Sequence, residues 1–219
     1  MKMKKRLILF DFDGTVADNS EGIYNCIKYA LGKKGMKPLS DDAMRSFIGP
    51  SLFDSFMWHC TDDKTVAEEL VALYRERYRP LGSTEVKIYD GMKELLSRLK
   101  KEGCITAVCS SKPYDFVRKI AKEQGLEELF DGFFCPSFGN HLSDKTSLAL
   151  DAISHFGVNK DEAVLIGDTK FDVAAARSAG ISSIGVLYGF HTEEGELDSA
   201  DAVVSEVKDI YPIIAGVVL

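Results

Sequence analysis

Short, continuously apolar runs alternate with helical patterns along most of the chain, and this alternation limits the choice of fold more than any other feature. The runs are too short for helices and are bounded by turn residues, which is typical of strands covered on both faces. Strand–helix alternation of this kind predicts an α/β protein with a Rossmann-like, three-layer parallel-sheet core. The predicted strands are residues 7–12, 105–109, 133–135, 163–166, 183–187 and 202–204.

One stretch after the first strand has helical periodicity and no convincing strand. We therefore predict an inserted α-helical domain at residues 18–81, with residues 1–17 and 82–219 forming the α/β core. Residues 80–83, which contain a proline and a glycine, are the predicted return hinge. The single tryptophan, Trp58, is expected to pack in the core of the insert.

The composition narrows the class of protein. The 219 residues include 34 acidic and 27 basic side chains, so the net charge is −7 and the basic excess typical of nucleic-acid binding is absent. The five cysteines form no CxxC pair, which argues against disulfides and a structural zinc site and for a reducing compartment. The apolar run after the basic N-terminus is too short for a signal peptide or a membrane span. We expect a cytoplasmic protein without nucleic-acid or membrane partners.

The first predicted strand ends in two aspartates, Asp11 and Asp13, followed by Gly14. In an open α/β sheet, ligands bind beyond the carboxyl ends of the strands, and residues two apart in an extended segment point the same way. Two adjacent carboxylates repel each other, and a divalent cation is the usual compensation. Taken alone, the segment is also explained by an ordinary Asp-Gly turn.

A second acidic pair follows the predicted strand at residues 163–166. Asp168 stands close to the strand end, and Asp172 lies one helical turn further on. Helix N-termini favour acidic residues in general, so a capping role is the alternative for either aspartate. Two acidic strand ends in one sheet together supply the hard oxygen ligands that Mg²⁺ prefers. The sequence therefore predicts a Mg²⁺ site at this edge of the sheet.

Two further segments offer anion ligands. Residues 105–109 run into Ser110 and Ser111, where a hydroxyl and backbone N–H groups at a helix start suit a phosphate. Lys145 stands at the start of the following helix, where a positive charge opposes the helix dipole and is better explained by anion binding than by stability. Lys112 competes with Lys145 for this role, and position alone favours Lys145 only moderately.

These residues resemble the four motifs of the haloacid dehalogenase-like hydrolases, in the same order. The motifs are the segment DFDGTV at residues 11–16, Ser110, Lys145, and the segment GDTKFD at residues 167–172. The resemblance spans nearly the whole chain and implies that the helical insert is a small cap of the C1 type. Residues 47–52 and 183–189 are similar to phosphoglycolate phosphatase-like and 5′-nucleotidase-like bacterial members.

The resemblance implies catalytic roles for the first three motifs. Asp11 would be the nucleophile that attacks phosphorus and forms an aspartyl-phosphate, and Asp13 would be the general acid and base. Ser110, Ser111 and Lys145 would bind the phosphoryl oxygens.

The resemblance also implies the ligands of the metal. Mg²⁺ would be held by Asp11, the backbone carbonyl of Asp13, and Asp168. Asp172 would support the site by orienting Lys145 or a water bound to the metal.

The implied activity is hydrolysis of a small phosphorylated metabolite, with phosphoglycolate as the first substrate and a 5′-nucleotide or pyrophosphate as alternatives. Ser111 replaces an asparagine common among phosphoglycolate phosphatases, which weakens that substrate assignment. Asp13 argues against dehalogenation, because the dehalogenase branch lacks this second aspartate. A β-phosphoglucomutase-like mutase has the same catalytic residues.

Two other classes of protein stay open, a phosphate-accepting signalling module and a non-catalytic binding protein. The chain length and the helical insert disfavour the signalling module, and the chemically competent motif residues disfavour the binding protein. The sequence is compatible with a monomer or a homodimer.

Overall fold

The chain divides into two compact units, and it passes between them through two short strands. The computed structural model describes residues 5–48, 50–137, 144–190 and 194–216. One unit comprises Met1–Ala17 and Ile88–Leu219, and the other comprises Asp18–Lys87. The crossing strands β2 (Ala17–Asp18) and β3 (Lys87–Ile88) pair with each other in a two-stranded sheet. None of the helices in the described ranges has the length and apolar character to cross a membrane.

The first unit contains a six-stranded parallel sheet with helices packed against it, which confirms the predicted fold class. Its strands are β1 (Leu7–Phe10), β4 (Ile105–Cys109), β5 (Gly132–Phe134), β6 (Ala163–Gly167), β7 (Ser182–Val186) and β8 (Ala202–Val204). Its helices are α5 (Met92–Lys101), α6 (Tyr114–Glu123), α7 (Lys145–Phe156), α8 (Lys170–Ala179) and α9 (Ile210–Ala215). The strand order is β5–β4–β1–β6–β7–β8.

The central strands are buried on both faces, as their continuously apolar sequences indicate. Leu7 and Leu9 lie in one apolar cluster with residues of α7 and α8. Ile8 and Phe10 alternate with them and are fully buried, and the ring of Phe10 lies 6.2 Å from that of Phe130. Because β1 pairs with both β4 and β6, the segments that follow these three strands meet at one edge of the sheet.

The second unit is helical. It contains α1 (Ser20–Lys33), α2 (Asp41–Arg45), α3 (Leu52–His59) and α4 (Lys64–Arg77). Asp63 caps α4, since its side chain accepts a hydrogen bond from the N–H of Thr65 at 2.8 Å. Trp58 was expected in the core of this unit, and that prediction is wrong, because its residue is 67% exposed. The short helix α3 buries only one face, and Phe56 occupies it.

The chain returns from the helical unit to the α/β unit between Lys87 and Ile88, which is later than the predicted hinge at residues 80–83. Tyr78–Gly82 continues α4 as a π-helical turn. Gly82 approaches α1 so closely that a Cβ atom there would lie 2.6 Å from the Sγ atom of Cys26. Arg77 also forms two hydrogen bonds of 2.8 Å with the carboxylate of Glu85. These contacts keep the chain within the helical unit as far as Lys87.

Candidate active site

Asp11 and Asp13 follow β1 at the carboxyl edge of the sheet. The N–H of Asp11 donates to the carbonyl of Ile166 at 2.8 Å, so the pairing with β6 extends one residue beyond the strand. Asp11 is buried, whereas the side chain of Asp13 is 21% exposed. The Oδ1 atom of each aspartate is buried and accepts no hydrogen bond from the described residues. A buried carboxylate oxygen in this state is costly, so a bound cation or hydrogen-bond donor would stabilise it.

Asp168 is fixed on both of its oxygens. Its Oδ1 atom accepts a hydrogen bond from the hydroxyl of Thr15 at 3.2 Å, and its Oδ2 atom accepts one from the N–H of Phe190 at 2.7 Å. Gly14, at φ 82°, passes so close that a Cβ atom would lie 2.0 Å from Oδ2 of Asp168. Only glycine meets both requirements, the left-handed backbone and the close approach.

Asp172 links the start of α8 to Lys145. Its Oδ2 atom accepts hydrogen bonds from the N–H of Thr169 at 3.1 Å and from the hydroxyl of Thr169 at 2.8 Å, as part of a capping box. Its Oδ1 atom accepts a hydrogen bond from Nζ of Lys145 at 2.5 Å. The same ammonium lies 3.1 Å from Oδ1 of Asp11, in an ion pair that lacks hydrogen-bond geometry.

Lys145 is the first residue of α7 and is almost completely buried. Burial lowers the pKa of its ammonium, but the charges of Asp11 and Asp172 outweigh that effect and raise the pKa above its ordinary value. Lys145 therefore stays positively charged. Its ammonium lies between the carboxylates of Asp11 and Asp172, and its predicted contact with a phosphate stays a prediction.

The segment after β4 contributes Ser110, Ser111 and Lys112. Ser110 is buried, and its Oγ atom accepts a hydrogen bond from the N–H of Lys112 at 3.3 Å. Nζ of Lys112 lies 2.9 Å from Oδ2 of Asp13. Ser111 is exposed. The sequence left the choice between two lysines open, and the structure shows that each contacts a different aspartate, since Lys145 contacts Asp11.

The cluster disfavours ionised carboxylates. The pKa of Asp11 is raised to about 6: burial raises it most, the charges of Asp172 and Asp13 also raise it, and Lys145 and Ser110 lower it. Burial also raises the pKa of Asp168 well above its usual range, with the charges of Asp172 and Asp11 adding to the effect. Carboxylates held in this way gain most from a nearby cation.

The donor set fits a divalent metal. One carboxylate oxygen from each of Asp11, Asp168 and Asp172 lies within 4.8 Å of the other two. Three buried carboxylate oxygens at this spacing suit a hard cation such as Mg²⁺.

The chain belongs to the haloacid dehalogenase-like hydrolases, whose sequence profile it matches over residues 8–186. A 5′-nucleotidase of Pseudomonas aeruginosa is 34% identical over 187 residues, which cover 85% of each chain. A phosphoglycolate phosphatase of Colwellia psychrerythraea is 27% identical over 206 residues, which cover 89% of this chain and 90% of the relative. A solved structure from Clostridium acetobutylicum, of a protein predicted to be a phosphatase, has a TM-score of 0.87 at 34% identity and covers 96% of this chain and 98% of that one. The resemblance based on the four motifs is thereby confirmed.

Sequence reasoning missed the contacts that hold Asp168 and Asp13. The hydroxyl of Thr15, within the first motif, and the N–H of Phe190 both reach Asp168. Lys112 was considered only as a phosphate ligand, yet its ammonium contacts Asp13. Thr15 carried a signal, since a hydroxyl two residues after an acidic pair can hydrogen-bond a neighbouring carboxylate. A backbone N–H such as that of Phe190 gives no signal in the sequence.

Proposed function

We propose that this protein is a Mg²⁺-dependent phosphatase that hydrolyses a small phosphate monoester through an aspartyl-phosphate on Asp11. One observation carries the proposal. The Oδ1 atom of Asp11 is buried, accepts no hydrogen bond from the described residues, and lies 3.1 Å from the ammonium of Lys145. A nucleophilic oxygen next to a fixed cation suits attack on a phosphoryl group, whose oxygens Lys145, Ser110 and Ser111 would bind.

The proposed reaction has two steps. First, the carboxylate of Asp11 attacks phosphorus, the bond from phosphorus to the ester oxygen breaks, and Asp13 gives a proton to that departing oxygen. Second, water attacks the phosphorus of the aspartyl-phosphate, Asp13 accepts a proton from that water, and phosphate leaves while the Asp11 carboxylate is restored. Asp13 suits proton transfer because its side chain is more exposed than that of Asp11 and its Oδ1 atom accepts no hydrogen bond from the described residues.

Asp11, the backbone carbonyl of Asp13, and Asp168 would hold the metal ion. Mg²⁺ supplies charge neutralisation, which lets an anionic carboxylate approach an anionic phosphate. Asp172 would support the site through its hydrogen bond with Lys145, which keeps the lysine side chain in place.

We propose further that the helical unit is the cap that determines substrate choice, and that the enzyme acts on a phosphorylated metabolite in the cytoplasm as a monomer or homodimer. Phosphoglycolate is the substrate that the sequence motifs imply first. The Pseudomonas relative named 5′-nucleotidase is more similar to this chain than the Colwellia relative, which supports a nucleoside 5′-monophosphate as the second candidate. A mutase reaction is the remaining alternative, because it would use the same residues.

The proposal is tested by phosphate release from phosphoglycolate, nucleoside 5′-monophosphates, pyrophosphate and simple alkyl phosphates, with Mg²⁺ and with EDTA. We expect Mg²⁺-dependent turnover that Asp11→Asn abolishes. Asp151→Asn, at an exposed position of α7, is the matched control and should retain full activity. Turnover in EDTA, or turnover by Asp11→Asn, would contradict the mechanism.

A further inference from the structure

Asp13 is held on one side by a buried lysine. Nζ of Lys112 donates to Oδ2 of Asp13 at 2.9 Å, and the lysine side chain is only 7% exposed. The backbone N–H of Lys112 donates in turn to Oγ of Ser110, which ties the lysine to the end of β4. The other oxygen of Asp13, Oδ1, is buried and accepts no hydrogen bond from the described residues. The two oxygens of this one carboxyl group therefore have different surroundings.

This difference bears on proton transfer. The two oxygens of a carboxyl group are equivalent until a neighbour distinguishes them. A lysine ammonium donates hydrogen bonds and accepts none, so the oxygen that faces Lys112 is occupied as an acceptor. Oδ1, which accepts no hydrogen bond from the described residues, is then the oxygen available for proton transfer.

We propose that Lys112 is a positioning residue for the reaction: by holding Oδ2 of Asp13, it leaves Oδ1 to give and take the proton. The proposal rests on the general acid and base role proposed for Asp13. It assigns Lys112 a different task from that of Lys145, in agreement with their contacts, since Lys145 lies against Asp11 and Asp172. A lysine that bound the transferred phosphoryl group would affect all phosphate esters alike, whereas one that positions Asp13 affects esters according to their need for a proton.

The test compares two esters hydrolysed by the same variant. An alkyl phosphate depends on protonation of its departing oxygen, whereas p-nitrophenyl phosphate releases a stable phenolate without it. General acid catalysis contributes roughly 10²- to 10⁴-fold, so we expect Lys112→Met to lower kcat/KM for the alkyl ester at least about tenfold more than for the nitrophenyl ester. Removing one partner of a buried ion pair also destabilises the fold. The ratio of the two kcat/KM values is independent of how much enzyme is folded, so it isolates the positioning effect.

A double-mutant cycle with Asp13→Asn shows whether Lys112 acts through Asp13. We expect Lys112→Met to leave the ratio unchanged when Asp13→Asn is already present. Lys122→Met, at an exposed lysine of helix α6, the helix that follows Lys112 in the chain, is the control and should leave the ratio at its wild-type value. Equal loss on both esters, or a further selective loss in the Asp13→Asn background, would overturn the proposal. Failure of the wild type to hydrolyse any ester would instead overturn the proposed function, and it would be seen before Lys112 is changed.

Discussion

The two acidic strand ends of the site use the same type of residue in different surroundings. At the end of β6, both oxygens of Asp168 and both oxygens of Asp172 have hydrogen-bond partners, which are Thr15, Phe190, Lys145 and Thr169. At the end of β1, Asp11 and Asp13 each have an Oδ1 atom that accepts no hydrogen bond from the described residues. A carboxylate with hydrogen-bond partners on both oxygens stabilises the fold, whereas one with an oxygen that accepts no hydrogen bond can use that oxygen to react. We therefore expect changes at the end of β1 to affect turnover more than stability, and changes at the end of β6 to affect stability as well as metal binding.

The largest difference is expected for Asp11→Asn. Phosphate release should fall by at least about 10⁴-fold, because the nucleophile is lost. The free energy of unfolding in EDTA near pH 7 should be equal to or higher than that of the wild type, since the substitution removes a charge whose cost of burial, with the repulsion of the neighbouring aspartates, outweighs the attraction of Lys145. Urea unfolding beside the activity assay checks both. A large loss of stability in this variant would contradict the comparison.

Asp172→Ala is expected to show the opposite pattern. It removes the cap of α8 and one of the two carboxylates around Lys145, so we expect a loss of about 3 kcal/mol in unfolding free energy. Thermal and urea unfolding measure this loss. Asp151→Ala on the exposed face of α7 is the control, and a loss below about 0.5 kcal/mol in Asp172→Ala would remove the distinction between the two strand ends.

The sequence could predict these strand ends because each is a local pattern of consecutive residues, in which an apolar run is followed by acidic side chains. It could not predict which lysine pairs with which aspartate. Lys112 and Asp13 are 99 positions apart, and their contact depends on strand order and side-chain conformation rather than on a local pattern. The sequence placed Asp172 one helical turn beyond Asp168, at the ligand-binding edge of the sheet, but it did not predict that Asp172 is buried. Its hydrogen bond with Lys145 likewise needs the packing of α7 against α8.

Asp168→Asn sharpens the comparison within the β6 end. Its amide can present only one acceptor oxygen where the carboxylate offers two to Thr15 and Phe190. As a proposed metal ligand, it should raise the Mg²⁺ concentration for half-maximal activity by about 100-fold or more. Titration of activity with Mg²⁺ measures the change. An unaltered Mg²⁺ requirement would exclude Asp168 as a ligand.

The pH dependence of the unfolding free energy of the metal-free protein tests whether the end of β1 holds a carboxylate with a raised pKa. The pKa of Asp11 is raised to about 6 in the folded state, so the folded protein binds this proton more tightly than the unfolded chain does. The resulting contribution of Asp11 to the free energy of unfolding is present at low pH and is lost as pH rises through about 6. The wild type should therefore lose stability relative to Asp11→Asn between about pH 4 and about pH 7, by at most about 3 kcal/mol. Urea unfolding of both proteins in EDTA measures the difference, which saturating Mg²⁺ should suppress. A difference that grows in the opposite direction would contradict the assigned shift.

The smallest effect is expected from two glycines with nearly equal backbone angles. Gly14 and Gly103 have φ values of 82° and 81°, but only Gly14 has atoms within reach of an added Cβ, among them Oδ2 of Asp168. Gly14→Ala should therefore cost about 1–2 kcal/mol more than Gly103→Ala, and it should also weaken Mg²⁺-dependent activity. Equal losses in the two variants would show that Asp168 adapts freely.

Lys145 contacts two carboxylates that have different fates in the proposed reaction. Asp11 is covalently modified and loses its negative charge once per cycle, whereas Asp172 is never altered and is kept in place by Thr169. The position of the ammonium is therefore determined by the aspartate that does not change. Each turnover can therefore begin with the lysine already in place, and this long, flexible side chain need not change its conformation between one turnover and the next.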